Sequence, residues 1–556
     1  MSRLNTRPFR LLGLALVAIT VAGAMSVLVD VYLPTVAGKY LSALGLQSPT
    51  AVVGPKLPKA WSDGLPFGNS PEEDMRRAEA LSPRVHQLCG ACHAYPEPAL
   101  FPKERWAVEV NLGYDFYEGS SDALVREIEA PPQADTTGYY IAKAPKEIEM
   151  PRLPTRDINP IFVPTTLKYP DEGPSDGCVS DVAWYPPQDS SVGFLTICDM
   201  RHGRVIRVDR TSAWSEGRVL ANIYNPARLR PIDSGEKVPR AFLLAELGVF
   251  LPSDDVPGRL YRLDLSETGR PARSTLLKTK NRVADAVGGD LDGDGDLEFA
   301  VAEFGWRSGG ALALLDRSEG DKEWQRTILD ERPGASDVRI DDIDGDGRLD
   351  IVALFSQQHE VVEAYIADGL GGFERRTIFD AKDPAFGSSG MDLVDFDVDG
   401  DLDILFTNGD MLDFGFLSPN HAVRWFENRG EFPFRPHIIG HLPGAYRAVS
   451  GDIDLDGDLD VVASAYISND IAEGQVSAAT QFNLLVWFEH QRDGSFLCRP
   501  ILRTRRFGSV DAALGDFDSD GDLDIAAGLT FFEDDGPRHR LQQGMLTIWS
   551  NGTKNP

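Results

Sequence analysis

The sequence predicts a multidomain chain: an N-terminal transmembrane helix, a small all-α domain, and an all-β propeller of seven blades with cation-binding loops. Three observations predict it. An uncharged run from Leu11 to Val29 follows Arg3, Arg7 and Arg10. A Cys-x-x-Cys-His motif lies in a stretch of helical patterning. Five acidic nine-residue loops then recur with starts 52, 53, 57 and 64 residues apart. At 556 residues the chain exceeds one typical core.

The first element sets the compartment. Nineteen uncharged residues nearly span a bilayer core, and the arginines before them keep the N-terminus inside. Residues 1–32 are read as a signal-anchor. A cleavable signal peptide ending near Ala22-Gly23-Ala24 is the alternative, and both export the remainder. This places the bulk of the chain outside a bacterial inner membrane, in the periplasm or extracytoplasmic space. Residues 33–69 read as a linker rich in Pro, Gly and Ser. A net charge of −31 argues against a nucleic-acid partner.

The second element, residues 70–155, is helical in pattern. Ser70-Pro71-Glu72-Glu73 is a helix start, and Ser82-Pro83 reads as a second start. Further helical segments are expected near 103–116, 122–129 and 135–143. Cys89-Gly90-Ala91-Cys92-His93 has the order that covalent haem attachment requires. Two thiols add to the vinyl groups and the adjoining His binds iron. A zinc site would need more Cys or His nearby, and none suits. The segment resembles the small class I c-type cytochromes. That resemblance implies a single haem c held by Cys89, Cys92 and His93, with a Met as second iron ligand. Met150, 57 residues after His93 and followed by Pro151, is the expected ligand. Packing of Met150 in a linker, or an open iron site, are the alternatives. Trp106, Tyr114, Phe116, Tyr139 and Tyr140 are available to wall the porphyrin.

The third element runs from 160 to 553. Its acidic loops are Asp290, Asp292, Asp294, Asp296 and Glu298; Asp342, Asp344, Asp346, Arg348 and Asp350; Asp395, Asp397, Asp399, Asp401 and Asp403; Asp452, Asp454, Asp456, Asp458 and Asp460; and Asp516, Asp518, Asp520, Asp522 and Asp524. Carboxylates at positions one, three and five converge on a hard cation. Gly at six permits the turn, seven offers its carbonyl, and an acid at nine completes the cage. A backbone carbonyl at seven explains why Arg348 is tolerated. Five such loops hold 24 acids and about five calcium ions, which would cancel about ten charges. An EF-hand would need Glu at position twelve, where this chain has Val301, Ala353, Phe406, Ala463 and Ala527.

The period is that of a propeller blade. The loops and their setting resemble FG-GAP, or VCBS-type, repeats. Two earlier units, around Gly193–Ile197 and Ala241–Glu246, keep the strands without the acids, making seven blades. The last unit lacks an outer strand, and Phe162–Leu167 is expected to cross over and supply it. Cys178 and Cys198 form either a disulfide or two buried thiols. Insertions at Asn408–Ala422 and Ile467–Gln481 are candidate docking loops.

Together these readings point to a membrane-tethered monohaem cytochrome acting in electron transfer, with a calcium-stabilised propeller that docks a redox partner protein. A haem-dependent oxidoreductase with a substrate site on the propeller is a second reading. A non-enzymatic binding or adhesion scaffold is a third.

Overall fold

The computed structural model describes residues 67–554 other than 69, 120–122, 151–157, 159–160, 168–176, 189–191, 211–213, 215–216, 233–238, 250–252, 255, 266–270, 307–308, 318–322, 412–415, 468–479, 505–507 and 531–543. The expected anchor over 1–32 lies outside the described residues, as does the linker apart from Phe67 and Gly68. Among the described residues no helix is long and apolar enough to cross a membrane. Residues 1–74 and 75–556 form two compact units. In the first, Ser70 caps a helix: its Oγ accepts the Glu73 N–H at 3.2 Å.

Among the described residues four α-helices precede the sheets: α1 (Pro71–Cys89), α2 (Trp106–Gly119), α3 (Ala123–Arg126) and α4 (Gln133–Lys143). The expected second start at Ser82-Pro83 does not occur, because α1 runs through Pro83. An internal Pro costs about 3 kcal/mol. The apolar face of Ala78, Val85 and Leu88 stays buried on both sides of it, which offsets that cost. The core of this segment is aromatic. Trp106 stacks on Tyr140 at 3.8 Å, and its indole N–H donates to the carbonyls of Pro98 and Phe101. The Tyr114 hydroxyl meets the Pro131 carbonyl at 2.5 Å and Thr136 Oγ1 at 2.8 Å.

Seven four-stranded antiparallel sheets follow. Blade 1 begins at strand Val179–Tyr185, blade 2 at Pro226–Pro231, blade 3 at Arg282–Gly289 and blade 4 at Ala335–Asp341. Blade 5 begins at Ser388–Val394, blade 6 at Ala445–Gly451 and blade 7 at Ala512–Gly515. These first strands neighbour one another in sequence, and that of blade 7 returns to that of blade 1, closing a ring. The second strands are buried along their length, as in Ala241–Glu246, Asp350–Phe355 and Asp403–Asn408. They sit between sheet neighbours and the adjacent blades, so they read as continuous apolar runs without alternation.

Closure is as expected. Phe162–Leu167 pairs antiparallel with Leu546–Asn551 and forms the outer strand of blade 7. The chain therefore fastens its own ring, and the last sheet has no exposed inner edge. Cys178 and Cys198 are buried, and no disulfide forms among the described cysteines. Burial raises both thiols well above the ordinary range.

The first strands also carry a feature the sequence analysis missed. Arg228 pairs with Asp181 at 3.4 Å and Asp511 at 3.2 Å. Arg230 pairs with Asp285 at 3.1 Å. Arg339 joins Asp285, Asp337 and Asp392, and Arg447 joins Asp337 at 2.6 Å and Asp511 at 3.6 Å. Every blade contributes to this buried ring of ion pairs. Neighbouring guanidinium groups hold the Asp337 carboxyl well below the usual range despite its burial. The only local signal was charge in otherwise apolar strands, such as Arg228 and Arg230 beside Leu229.

Candidate functional site

The five acidic loops join the first and second strands of blades 3 to 7. Their geometry repeats. Position one accepts the amide of position six: Gly295, Gly347, Gly400, Gly457 and Gly521 donate to Asp290, Asp342, Asp395, Asp452 and Asp516 at 2.8–3.2 Å. Position five accepts the amide of position seven in each loop. Those five glycines have φ between 89° and 102°; at four of them space is open where a Cβ would stand, and at Gly521 only the flexible Lys554 side chain lies near, so backbone conformation rather than crowding selects Gly. Position four is also left-handed, and there the chain uses Gly293, Gly345, Val398, Leu455 and Ser519. Each loop brings one oxygen from each of three carboxylates within 4.8 Å of one another. These are Asp290, Asp292 and Asp294; Asp342, Asp344 and Asp350; Asp395, Asp397 and Asp399; Asp452, Asp454 and Asp456; and Asp516, Asp518 and Asp524. A hard divalent cation fits that donor set.

Position nine does more than the sequence pattern suggested. One oxygen of Glu298, Asp350, Asp403, Asp460 and Asp524 accepts the amide of position two at 2.8–3.1 Å. In four blades the other oxygen accepts an amide at the end of the third strand, from Ala367, Asn428, His490 or Asn551. Position nine is thus a buried pin between loop and sheet. Burial raises its carboxyl to about 6 in Asp350 and Asp403 and about 7 in Glu298, Asp460 and Asp524. Asn428 and Asn551 add ties between blades: their side-chain amides donate to Ile343 and Ile453 carbonyls in the loop of the preceding blade. Arg348 departs from the other position-seven residues. Its guanidinium binds Asp346 and donates to the Ala367 carbonyl.

The Cys-x-x-Cys-His motif stands at the end of α1. Cys89 is its last residue, and the turn is held by Gly90 N–H donating to the His86 carbonyl at 2.9 Å. A Cβ on Gly90 would lie 2.8 Å from that carbonyl. Cys92 is exposed, while Cys89 and His93 are half-buried. Burial raises the Cys89 thiol, which lies beside the Tyr140 hydroxyl, and lowers the His93 imidazole. His93 Nδ1 lies 2.7 Å from the Ala94 carbonyl. Nδ1 therefore carries the proton, and the Nε2 lone pair is left for a metal. Around it His86 stacks on Tyr95 at 3.7 Å, and Tyr139 bonds both His86 and Tyr95. This donor set and its aromatic surround fit a covalently bound haem. Tyr95 was not among the residues expected there.

Met150 packs against the apolar cluster shared by blades 5 and 6, which includes Leu417, Leu442 and Leu484. The helical segment and the propeller belong to one compact unit. Phe101 meets Phe416, in the blade 5 insertion, edge-on at 5.6 Å.

An FG-GAP-like repeat model matches residues 342–406, from the acidic loop of blade 4 through that of blade 5. This chain carries an FG-GAP-like repeat. Among solved structures, the chain is similar to the propeller of Dos1, at 11% identity and a TM-score of 0.39, covering 67% of this chain and 78% of that one. It is also similar to Sqt1 of Saccharomyces cerevisiae, at 11% identity and a TM-score of 0.35, covering 64% and 81%. No curated protein matches the chain.

Proposed function

We propose that this FG-GAP-repeat propeller chain is a monohaem c-type cytochrome acting in electron transfer, tethered to the outer face of a bacterial inner membrane by residues 1–32. Cys89 and Cys92 would hold the haem by thioether bonds, and His93 would ligate it through Nε2. Bound there, haem supplies a one-electron carrier. The observation that carries the reading is the His93–Ala94 contact at 2.7 Å, which sets the tautomer an iron ligand needs. The chain's own residues then keep that imidazole neutral by burial and wall the site with Tyr95, Tyr139 and Tyr140. The five acidic loops are proposed calcium sites that stiffen blades 3 to 7, and the propeller is proposed to dock a redox partner.

The test is chemical. The full chain, produced together with haem-attachment machinery, should retain one haem per chain after denaturation in alkaline pyridine. It should show a reversible reduced-minus-oxidised spectrum. Cys89→Ala and Cys92→Ala should each weaken retention. Absence of retained haem in the wild-type chain overturns the reading. Metal analysis should find calcium at about five ions per chain.

A further inference from the structure

The five acidic loops differ in charge once the side chains that touch them are counted. The loops of blades 3, 5 and 6 each carry five carboxylates. The loop of blade 4 carries four, with Arg348 at position seven. The loop of blade 7 carries five, but Lys554, just beyond the strand Leu546–Asn551, folds back onto it. Among the described residues, no basic side chain bonds to the loops of blades 3, 5 and 6. In blade 5 Arg429 lies nearby but is engaged by Glu427 in a two-bond pair, at 2.8 and 3.0 Å.

Both basic groups bind the loop itself. The Arg348 guanidinium pairs with one oxygen of Asp346, at position five, and donates to the Ala367 carbonyl at 3.1 Å. The other Asp346 oxygen accepts the Arg348 amide at 2.9 Å, so both oxygens of position five have donors within the chain. Asp294, Asp399 and Asp456 stand at position five of blades 3, 5 and 6. Each uses one oxygen in the same way, and its second oxygen accepts no hydrogen bond from a described residue. In blade 7 the Lys554 ammonium donates to the Gly521 carbonyl at 2.6 Å, and the Lys554 amide donates to Asp522 Oδ2 at 3.1 Å. The converging carboxylates follow the same division. They come from positions one, three and five in blades 3, 5 and 6, and from one, three and nine in blades 4 and 7.

Oxygens suited to a cation stand in both groups. Asp454 Oδ1 in blade 6 and Asp522 Oδ1 in blade 7 are shielded from solvent and accept no hydrogen bond from a described residue. A buried carboxylate oxygen of that kind calls for a cation. Calcium affinity follows the number of charged ligands and the rigidity of the site. A fixed ammonium beside a loop repels a divalent ion, and calcium must compete with a guanidinium for any carboxylate that it holds.

We propose that Arg348 and Lys554 are resident cations that divide the five loops into two calcium classes: tight sites in blades 3, 5 and 6, and weaker, exchangeable sites in blades 4 and 7. The inference rests on the calcium reading above. It gives the propeller a graded response to calcium. The weaker class includes the blade that closes the ring, where Asp524 accepts the Asn551 amide at 2.7 Å, in the strand that pairs with Phe162–Leu167.

The experiment dialyses the full chain against buffers of graded free calcium and counts the metal bound per chain. Wild type should fill the three tight sites first, and the other two at free calcium at least about tenfold higher. Arg348→Asp restores the residue that the other four loops carry at position seven, and it should move one ion into the tight class. Lys554→Ala should move the other. At the calcium level that fills only the tight class, amide hydrogen exchange should be slowed at 290–298, 395–403 and 452–460 and stay fast at 342–350 and 516–524. Five ions bound with one affinity in wild type overturn the proposal and leave the calcium reading intact. So does a calcium titration of Arg348→Asp that is unchanged or weaker, or exchange that is slowed equally in all five loops. A chain that binds no calcium overturns both.

Discussion

Blades 1 and 2 share their sheet plan with blades 3 to 7 but close the first hairpin without the run of alternating acids. The difference separates two uses of charge. In blades 3 to 7 the acids sit close together in the loops that join the first two strands, where a cation is proposed to offset them. Blades 1 and 2, like the others, contribute to the centre, where Asp181, Arg228 and Arg230 belong to a ring in which carboxylates and guanidinium groups pair directly. The blade fold needs neither device locally. Its apolar second strands, such as Phe194–Asp199 and Asp460–Ala465, are equally buried in both classes. The acidic loops are therefore an addition to a plan that the strands already specify.

Calcium removal should break the comparison most strongly. Each occupied loop contributes about 2.7 kcal/mol at a hundredfold excess of calcium over Kd. In chelator, amide hydrogen exchange should rise in blades 3 to 7 and much less in blades 1 and 2. Uniform exchange across all blades would remove the distinction. The pH dependence of the chelated protein sharpens it. The position-nine carboxyls titrate near 6 to 7 when folded and near about 4 when unfolded. The folded chain then binds more protons in that window, so their contribution to stability falls as pH rises through it. Calcium, which favours the ionised loops, should cancel this trend. Thermal melts from pH 4 to 8 with and without calcium check it.

Deleting residues 160–167 should come next. The buried Phe162 and Leu167 alone contribute about 3–6 kcal/mol, and the edge of blade 7 would be left open. An unchanged melting temperature would show that the crossover strand does not fasten the ring. Arg447→Met tests the central device. It leaves Asp337 and Asp511 buried with one cation fewer, at a cost of about 3–5 kcal/mol that calcium should not rescue. The smallest effect belongs to loop position four. Val398→Gly should relieve a left-handed Val that is 72% exposed. The net gain should be below about 1 kcal/mol, read as a small rise in melting temperature.

Much of this was legible because its signals are local. The acidic loops announce themselves by spacing, and the crossover strand by an outer strand missing at one end of the chain and present at the other. Helical segments expected near 103–116 and 135–143 are present, with bounds shifted by two or three residues to 106–119 and 133–143. Pro83 misled because a local breaker rule competes with burial of Ala78, Val85 and Leu88, which only packing decides. The second role of position nine was hidden, since nothing in nine residues shows that in four blades one of its oxygens meets an amide 17 to 30 residues away.

The sequence by itself determined the repeat, the blade count, the loop chemistry and the Cys89–His93 motif, because each is carried by residues within one turn or one strand. Only the tertiary structure decided which distant groups meet. It joined Arg447 to Asp337 across 110 positions, tied Asn551 to the Ile453 carbonyl, and set Met150 against blades 5 and 6. The physical reason is ring closure: once the seven sheets pack around one axis, the side chains of the first strands converge, and residues far apart in the chain become the nearest available partners.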